Sequence, residues 1–273
     1  MSTFHFTPVE PHPLLKPFIA KMWVFESTGR LPEMDNKLIV PNGNFKLAFT
    51  SRNGLTAHVG DGTFIQRENE LSLTGIVDTK VLLNPMEDQM TETIGVELNP
   101  LGAYRLFRLN YTDVSNRIGE MEDLLGNATK MLKVQMAEAN TTQQKTRLLQ
   151  SFLLRQLENA TPDPVYDYCV NKIYYEKGLV NIKQLEKETG YTTRWLHKKF
   201  MEHLGTGPKN LAEIIKFKQV YEAYANKGNL KDHIYDYYYD QSHFLRVFKR
   251  MTGFNPTDLQ NSLNELATRH YTS

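Results

Sequence analysis

The sequence is poor in cysteine: Cys169 is the single one in 273 residues. One thiol excludes an intramolecular disulfide and any zinc site built from several thiolates. Long apolar runs are missing too. No stretch of eighteen apolar residues occurs, and the amino terminus, MSTFHFTPVEPHPLL, lacks the basic-then-apolar layout of a secretory signal. The expectation is a cytoplasmic protein without a membrane partner. Metal-ligand spacings are absent: His5, His12 and His58 are dispersed, and neither His-x-His nor His-x-x-x-His appears. No nucleophile elbow, phosphate-binding loop or dinucleotide fingerprint is found. Glu120, Glu122 and Asp123 read as the acidic start of a helix, not as an acid/base pair. The reading is therefore a non-enzyme, with no catalytic residue, metal or cofactor assigned.

What is present is a chain with 40% apolar residues, long enough for two cores. Net charge is only +1 but unevenly divided. Residues 1–164 carry 16 Lys/Arg against 19 Asp/Glu, a net −3, whereas residues 165–273 carry 16 against 12, a net +4. That polarity permits nucleic-acid binding by the second part without demanding it. From Met22 to about Val96, short apolar runs alternate with turn residues such as Asn42-Gly43-Asn44, Asn53-Gly54 and Asp61-Gly62, the pattern of antiparallel strands. A short helix is expected after Asn99-Pro100, and two longer ones over 119–139 and 143–159. Thr161-Pro162-Asp163-Pro164 cannot continue a helix. The expected fold is α+β: residues 1–160 as a β-rich barrel or sandwich with trailing helices, and residues 165–273 as an all-α domain.

Within the second part, residues 181–205 read NIKQLEKETGYTTRWLHKKFMEHLG. Asn181 and Thr192 are helix caps, and Gly190 supplies the left-handed turn between two helices. In the second of these, Leu196, Phe200 and Leu204 share one face, and Arg194, His197, Lys198 and Met201 another. A helix, a tight turn and a second helix with a cationic face is a helix-turn-helix plan. The plan recurs over residues 230–256, where Phe244, Val247, Phe248 and Met251 form the inward stripe. Gln241, Ser242, Leu245, Arg246 and Lys249 are left outward. Between the units, Pro208 opens a long helix with Leu211, Ile214, Ile215, Tyr221 and Tyr224 on its apolar face.

The order Leu185, Gly190, Leu196, Phe200, Gly205, Pro208, then Asp240-Gln241-Ser242-His243-Phe244, Arg246, Phe248-Lys249, Gly253 and Pro256 resembles the AraC/XylS transcription regulators. The resemblance covers about residues 165–260. It implies two recognition helices laid into successive major grooves of double-stranded DNA. The contacts it implies are Thr193, Arg194, His197 and Lys198 in one groove and Gln241, Ser242, Leu245 and Arg246 in the next. It also implies a homodimer, contact with RNA polymerase and a small-molecule effector. One departure stands out: Tyr237-Tyr238-Tyr239 replaces a glycine-containing turn and reads as one residue short. His12-Pro13-Leu14, Met22-Trp23, Pro41-Asn42-Gly43 and residues 99–103 more weakly resemble the β-rich domain preceding this module in regulators of Bacteroidota-like bacteria, with Leu101 standing where that domain often has glycine. Its implied role is effector sensing, or dimerisation without a ligand. A third alternative is a module fused to DNA-repair methyltransferase chemistry, which one cysteine disfavours.

Bland readings compete for several residues. Tyr235, Tyr237, Tyr238 and Tyr239 are expected to pack in the core with hydroxyls at its rim, rather than to stack on bases. Trp23, Trp195 and a buried, inert Cys169 are packing residues on this reading. His243 is expected to stabilise a helix start.

Overall fold

The computed structural model describes residues 3–28, 38–86, 89–225 and 230–256. Residues 257–273 of the expected second domain lie outside them. The chain begins with an antiparallel pair, β1 (Thr3–Pro8) and β2 (Ile19–Thr28). β3 (Leu38–Ile39), β4 (Phe45–Arg52), β5 (Leu55–Val59), β6 (Gly62–Gln66), β7 (Glu70–Thr74), β8 (Val81–Pro85) and β9 (Thr91–Leu98) follow. A short β10 (Ile118–Glu120) comes last. They form two antiparallel sheets, ordered β1-β2-β9-β4-β7-β10 and β3-β8-β5-β6. Of the two alternatives the sequence left, this is a sandwich and not a closed barrel. β1 was not expected, although its alternating TFHFTP carries the period-2 signal of a strand.

The larger sheet is covered on both faces, which explains why all eight residues of β9 are buried. Alternation assigns the faces. Phe45, Leu47 and Phe49 of β4, with Ile94, Val96 and Leu98 of β9, join the helices in one core. Lys46 and Ala48 of β4, with Thr93 and Gly95 of β9, point the other way, toward the smaller sheet.

α1 (Pro100–Leu106) starts where Asn99 caps it, accepting the Gly102 N–H at 2.8 Å. A 3-10 turn (Tyr111–Asp113) and β10 follow. The helix expected over 119–139 is two, α2 (Met121–Leu125) and α3 (Asn127–Glu138), because Gly126 sits at φ 65° between them. α4 (Thr142–Glu158) opens with a capping box of Thr141 and Gln144. The Pro162-Asp163-Pro164 break then gives way to α5 (Pro164–Tyr175), capped by Asp163. α6 (Ile182–Thr189), α7 (Thr193–Leu204), α8 (Pro208–Ala225), α9 (Leu230–Tyr237) and α10 (Gln241–Thr252) complete the described residues.

The break in the chain is not a break in packing. One buried cluster runs from Leu15 and Phe45 through Tyr111 and Tyr166 to Phe200, Phe217 and Met251. Gly205, at the end of α7, lies so close to the carbonyl of Tyr111 that no side chain fits there. The helical half is therefore seated directly on the β-rich half.

Candidate nucleic-acid interface

The first helix pair forms as its caps dictate. Asn181 accepts the Lys183 N–H at 2.9 Å, Gly190 closes α6 at φ 73°, and Thr192 accepts the Trp195 N–H at 3.2 Å. Leu185, Leu196, Phe200 and Leu204 are buried, each contributing on the order of 1.5–3 kcal/mol. That burial fixes which face of α7 is left outward. Thr193, Arg194, His197 and Lys198 are all exposed on it.

Their surroundings differ. Among the described residues Arg194 has no ion pair or hydrogen bond, so its guanidinium is unspent. Thr193 Oγ1 donates to Glu186 Oε2 at 2.7 Å, and Lys198 Nζ lies 3.8 Å from Glu202. His197 lays its imidazole over Gly207, where an added Cβ would stand 2.8 Å from the ring. Gly207 thus leaves room for the histidine at the start of α8.

The second pair is built alike. Asp240 caps α10 by accepting the His243 N–H at 2.7 Å, and Gly253 ends it at φ 82°. Phe244, Val247, Phe248 and Met251 are buried, while Gln241, Ser242, Leu245, Arg246 and Lys249 face outward. Its turn has the same length as the first. Three residues separate α6 from α7 (190–192), and three separate α9 from α10 (238–240). The second turn needs no glycine because Tyr238, unlike Gly190, stays out of the left-handed region, although both close their helix with the same bond, to the Ile234 and Glu186 carbonyls at 2.8 and 3.0 Å. Both turns place a tyrosine, Tyr191 or Tyr239, immediately before the capping residue.

The tyrosine expectation holds in part. Tyr238 is buried at 2% exposure, and Tyr237 is half-buried. Tyr235 and Tyr239 are exposed, so they are not core residues. Trp195 is half-buried against Tyr191, ring centroids 3.9 Å apart, with Lys199 over its face. Cys169 is fully buried on α5, and burial pushes its thiol up to about 11.

Each outward helix is also held from behind by one carboxylate, a feature no spacing rule predicts. Asp163 Oδ2 accepts from His203 at 3.0 Å and lies 3.3 Å from Lys199, both on α7. Burial opposes ionisation of Asp163, but hydrogen bonds from His203, the Tyr166 N–H and Lys199 outweigh it and hold its carboxyl below the ordinary aspartate range. Glu213 of α8 accepts from His243 at 3.2 Å and from Arg250, both on α10. His243 thus serves the helix start through both its backbone and its ring.

Behind this surface, a cavity of about 110 Å³ opens between the two sheets. Gly95, Ala48, Ser72 and Thr93 leave the space by being small, and Trp23, Phe25, Phe64, Leu55 and Val81 wall it. Trp23 lies flat on Gly95, where even a methyl group would collide with the indole. Among the described residues no cluster of three or more His, Cys, Asp or Glu side chains is arranged to hold a metal, and no helix is long and apolar enough to cross a membrane.

A family described as a domain of unknown function (DUF6597) matches residues 7–120. No curated protein matches the chain. Among solved structures, the chain is similar to ToxT from Vibrio cholerae. An apo form is 13% identical, with 89% of this chain and 98% of that one covered at a TM-score of 0.49. A second crystal form is 14% identical, with 89% and 99% covered, also at 0.49. An unsaturated fatty acid bound form is 12% identical, with 92% and 96% covered, at 0.47.

Proposed function

We propose that the protein is a sequence-specific DNA-binding transcription regulator of AraC type, with α7 and α10 as its two recognition helices. The observation that carries this reading is the repetition. Two helix pairs with three-residue turns each bury one stripe of the second helix and leave on the opposite stripe an arginine, Arg194 or Arg246, with no ion pair among the described residues. Arginine donates in a fork that suits guanine edges and phosphates alike, and Gln241 can pair with adenine. Thr193, His197, Lys198, Ser242 and Leu245 complete the two contact sets. α8 spans the distance between them, and the reading requires that they lie about one turn of B-form DNA apart.

The β-rich half is the regulatory part on this reading. It holds a cavity suited to a small-molecule effector and packs against both helix pairs, so occupancy has a physical route to the DNA-facing surface. Methyl transfer to cysteine is disfavoured, since that chemistry needs an accessible thiolate and Cys169 offers neither access nor ionisation. The experiment is selection of bound sites from random duplexes, followed by a salt titration on the winner. A defined sequence and a slope of about 0.9 per neutralised phosphate support the reading. Failure to enrich any sequence removes it.

A further inference from the structure

The inter-sheet cavity has a chemistry that can be read from its polar groups. Each of the following is already paired with the protein itself. Gln66 Nε2 donates to the carbonyls of Ala48 and Glu70, both at 2.9 Å, and its Oε1 accepts from Ser72 Oγ at 2.7 Å. Thr50 and Thr93 hydroxyls face each other at 3.4 Å. The ammonium of Lys46 lies 3.7 Å from the Glu97 carboxylate and donates to Asn42 Oδ1 at 3.3 Å. A charged ligand entering here would lose its hydration and find no unneutralised counter-charge among the described lining residues, since the Lys46 ammonium already faces the Glu97 carboxylate. An apolar one would gain from the walls made by Trp23, Phe25, Leu55, Phe64 and Val81. The volume of about 110 Å³ sets one ring as the upper limit, because a larger dry apolar cavity of about 150 Å³ accommodates benzene.

The same cavity is joined to the second helix pair by one short segment. Val77 and Val81 both line the cavity. Between them, Asp78 accepts from Asn210 Nδ2 at 3.1 Å in the first turn of α8, and its own N–H is fixed by Asn116 Oδ1 at 2.8 Å. Lys80 lays its side chain against Gly253, where a Cβ would stand 2.6 Å from the lysine Cδ. A shift of Val77 or Val81 therefore has a direct contact route to the start of α8, through Asp78 and Asn210, and to the end of α10, through Lys80 and Gly253.

We propose that the cavity binds a small, uncharged, predominantly apolar molecule about one ring in size, and that residues 77–81 carry its occupancy to α8 and α10. The binding half stands alone; the regulatory meaning of the second half rests on α10 being a DNA-contacting helix. The test uses the full chain with Trp195→Phe, which leaves Trp23 on the cavity wall as the sole indole. Toluene is titrated while Trp23 emission is followed, and benzoate serves as the charged ring of similar size. The expected result is a saturable change with toluene and binding at least about tenfold weaker for benzoate. The change should vanish when Ala48→Val fills the cavity in a chain whose circular dichroism is unaltered. Hydrogen exchange of the unsubstituted chain should show toluene-induced protection at residues 77–81 and around Gly253.

Absence of a saturable response in the folded chain, equal binding of benzoate, or a response that survives Ala48→Val overturns the ligand assignment. Protection confined to the sheets overturns the route. Should Trp195→Phe fail to fold, a toluene-dependent rise in the Tm of the unsubstituted chain replaces the emission signal, with the same outcomes. No DNA is present in these measurements, so their failure leaves the roles of α7 and α10 standing, and loss of DNA binding leaves a positive toluene result standing.

Discussion

His203 Nε2 lies 3.0 Å from Asp163 Oδ2, which ties the far end of α7 to the residue that caps α5. The N–H of Asp163 in turn donates to the hydroxyl of Tyr104 on α1 at 3.0 Å, so the first outward helix is anchored to the β-rich half through two bonds. Partial burial and its partner Asp167 hold the Tyr104 hydroxyl up at about 12, which keeps it protonated and able to donate.

Asp163→Asn should keep the cap, since asparagine caps nearly as well, but lose the charge-assisted bonds to His203 and Lys199. The expected cost is roughly 1–3 kcal/mol at neutral pH. The sign with pH follows from the lowered carboxyl. Its contribution is present above the ordinary aspartate value of 3.8 and is lost as pH falls through the folded-state value below it. Urea melts from pH 7 down to 3 should therefore converge for the two proteins at the acid end; parallel curves would contradict the account.

Tyr238→Phe should stabilise the chain or leave it unchanged. The Tyr238 hydroxyl is buried with no hydrogen-bond partner among the described residues, so its removal lifts a desolvation penalty on the order of 1–2 kcal/mol. A lower Tm would mean that the hydroxyl is satisfied after all.

Cys169 should resist thiol reagents in the native protein and react at once in denaturant, because it is fully buried and its thiol is raised to about 11. Incubation with alkylated DNA should leave the mass unchanged. A methyl adduct on Cys169 would revive the enzyme reading.

These tests depend on features that were unequally legible in the sequence. The caps Asn181 and Thr192, the turn at Gly190, and the stripes of α7 and α10 follow from local rules, and the structure reproduces them. The question at the second turn came from the resemblance, whose glycine is missing there; the chain turns with Tyr238 outside the left-handed region. Local rules grouped four tyrosines that the fold separates: Tyr238 inward, Tyr235 and Tyr239 outward. What the sequence does not display is long-range pairing. The bond of Asn210 to Asp78 joins residues 132 positions apart, and no spacing within either segment announces it. The cavity was equally hidden, for it arises from small residues on neighbouring strands that only registry brings together.

Arg194→Ala and Arg246→Ala should each weaken binding to a selected duplex while leaving Tm within about 1 °C, since both side chains are exposed and without an ion pair among the described residues. The loss expected is roughly 1–3 kcal/mol per bidentate contact, with relaxed preference at the base each one reads. Variants that bind as tightly as the parent would remove these residues from the interface.

The most direct measurement is a major-groove protection footprint of the full chain on its selected duplex, repeated with each arginine variant. The account predicts two protected patches on one DNA face about ten base pairs apart, one lost with Arg194→Ala and the other with Arg246→Ala. A single patch, patches on opposite faces, or protection indifferent to both substitutions would contradict it.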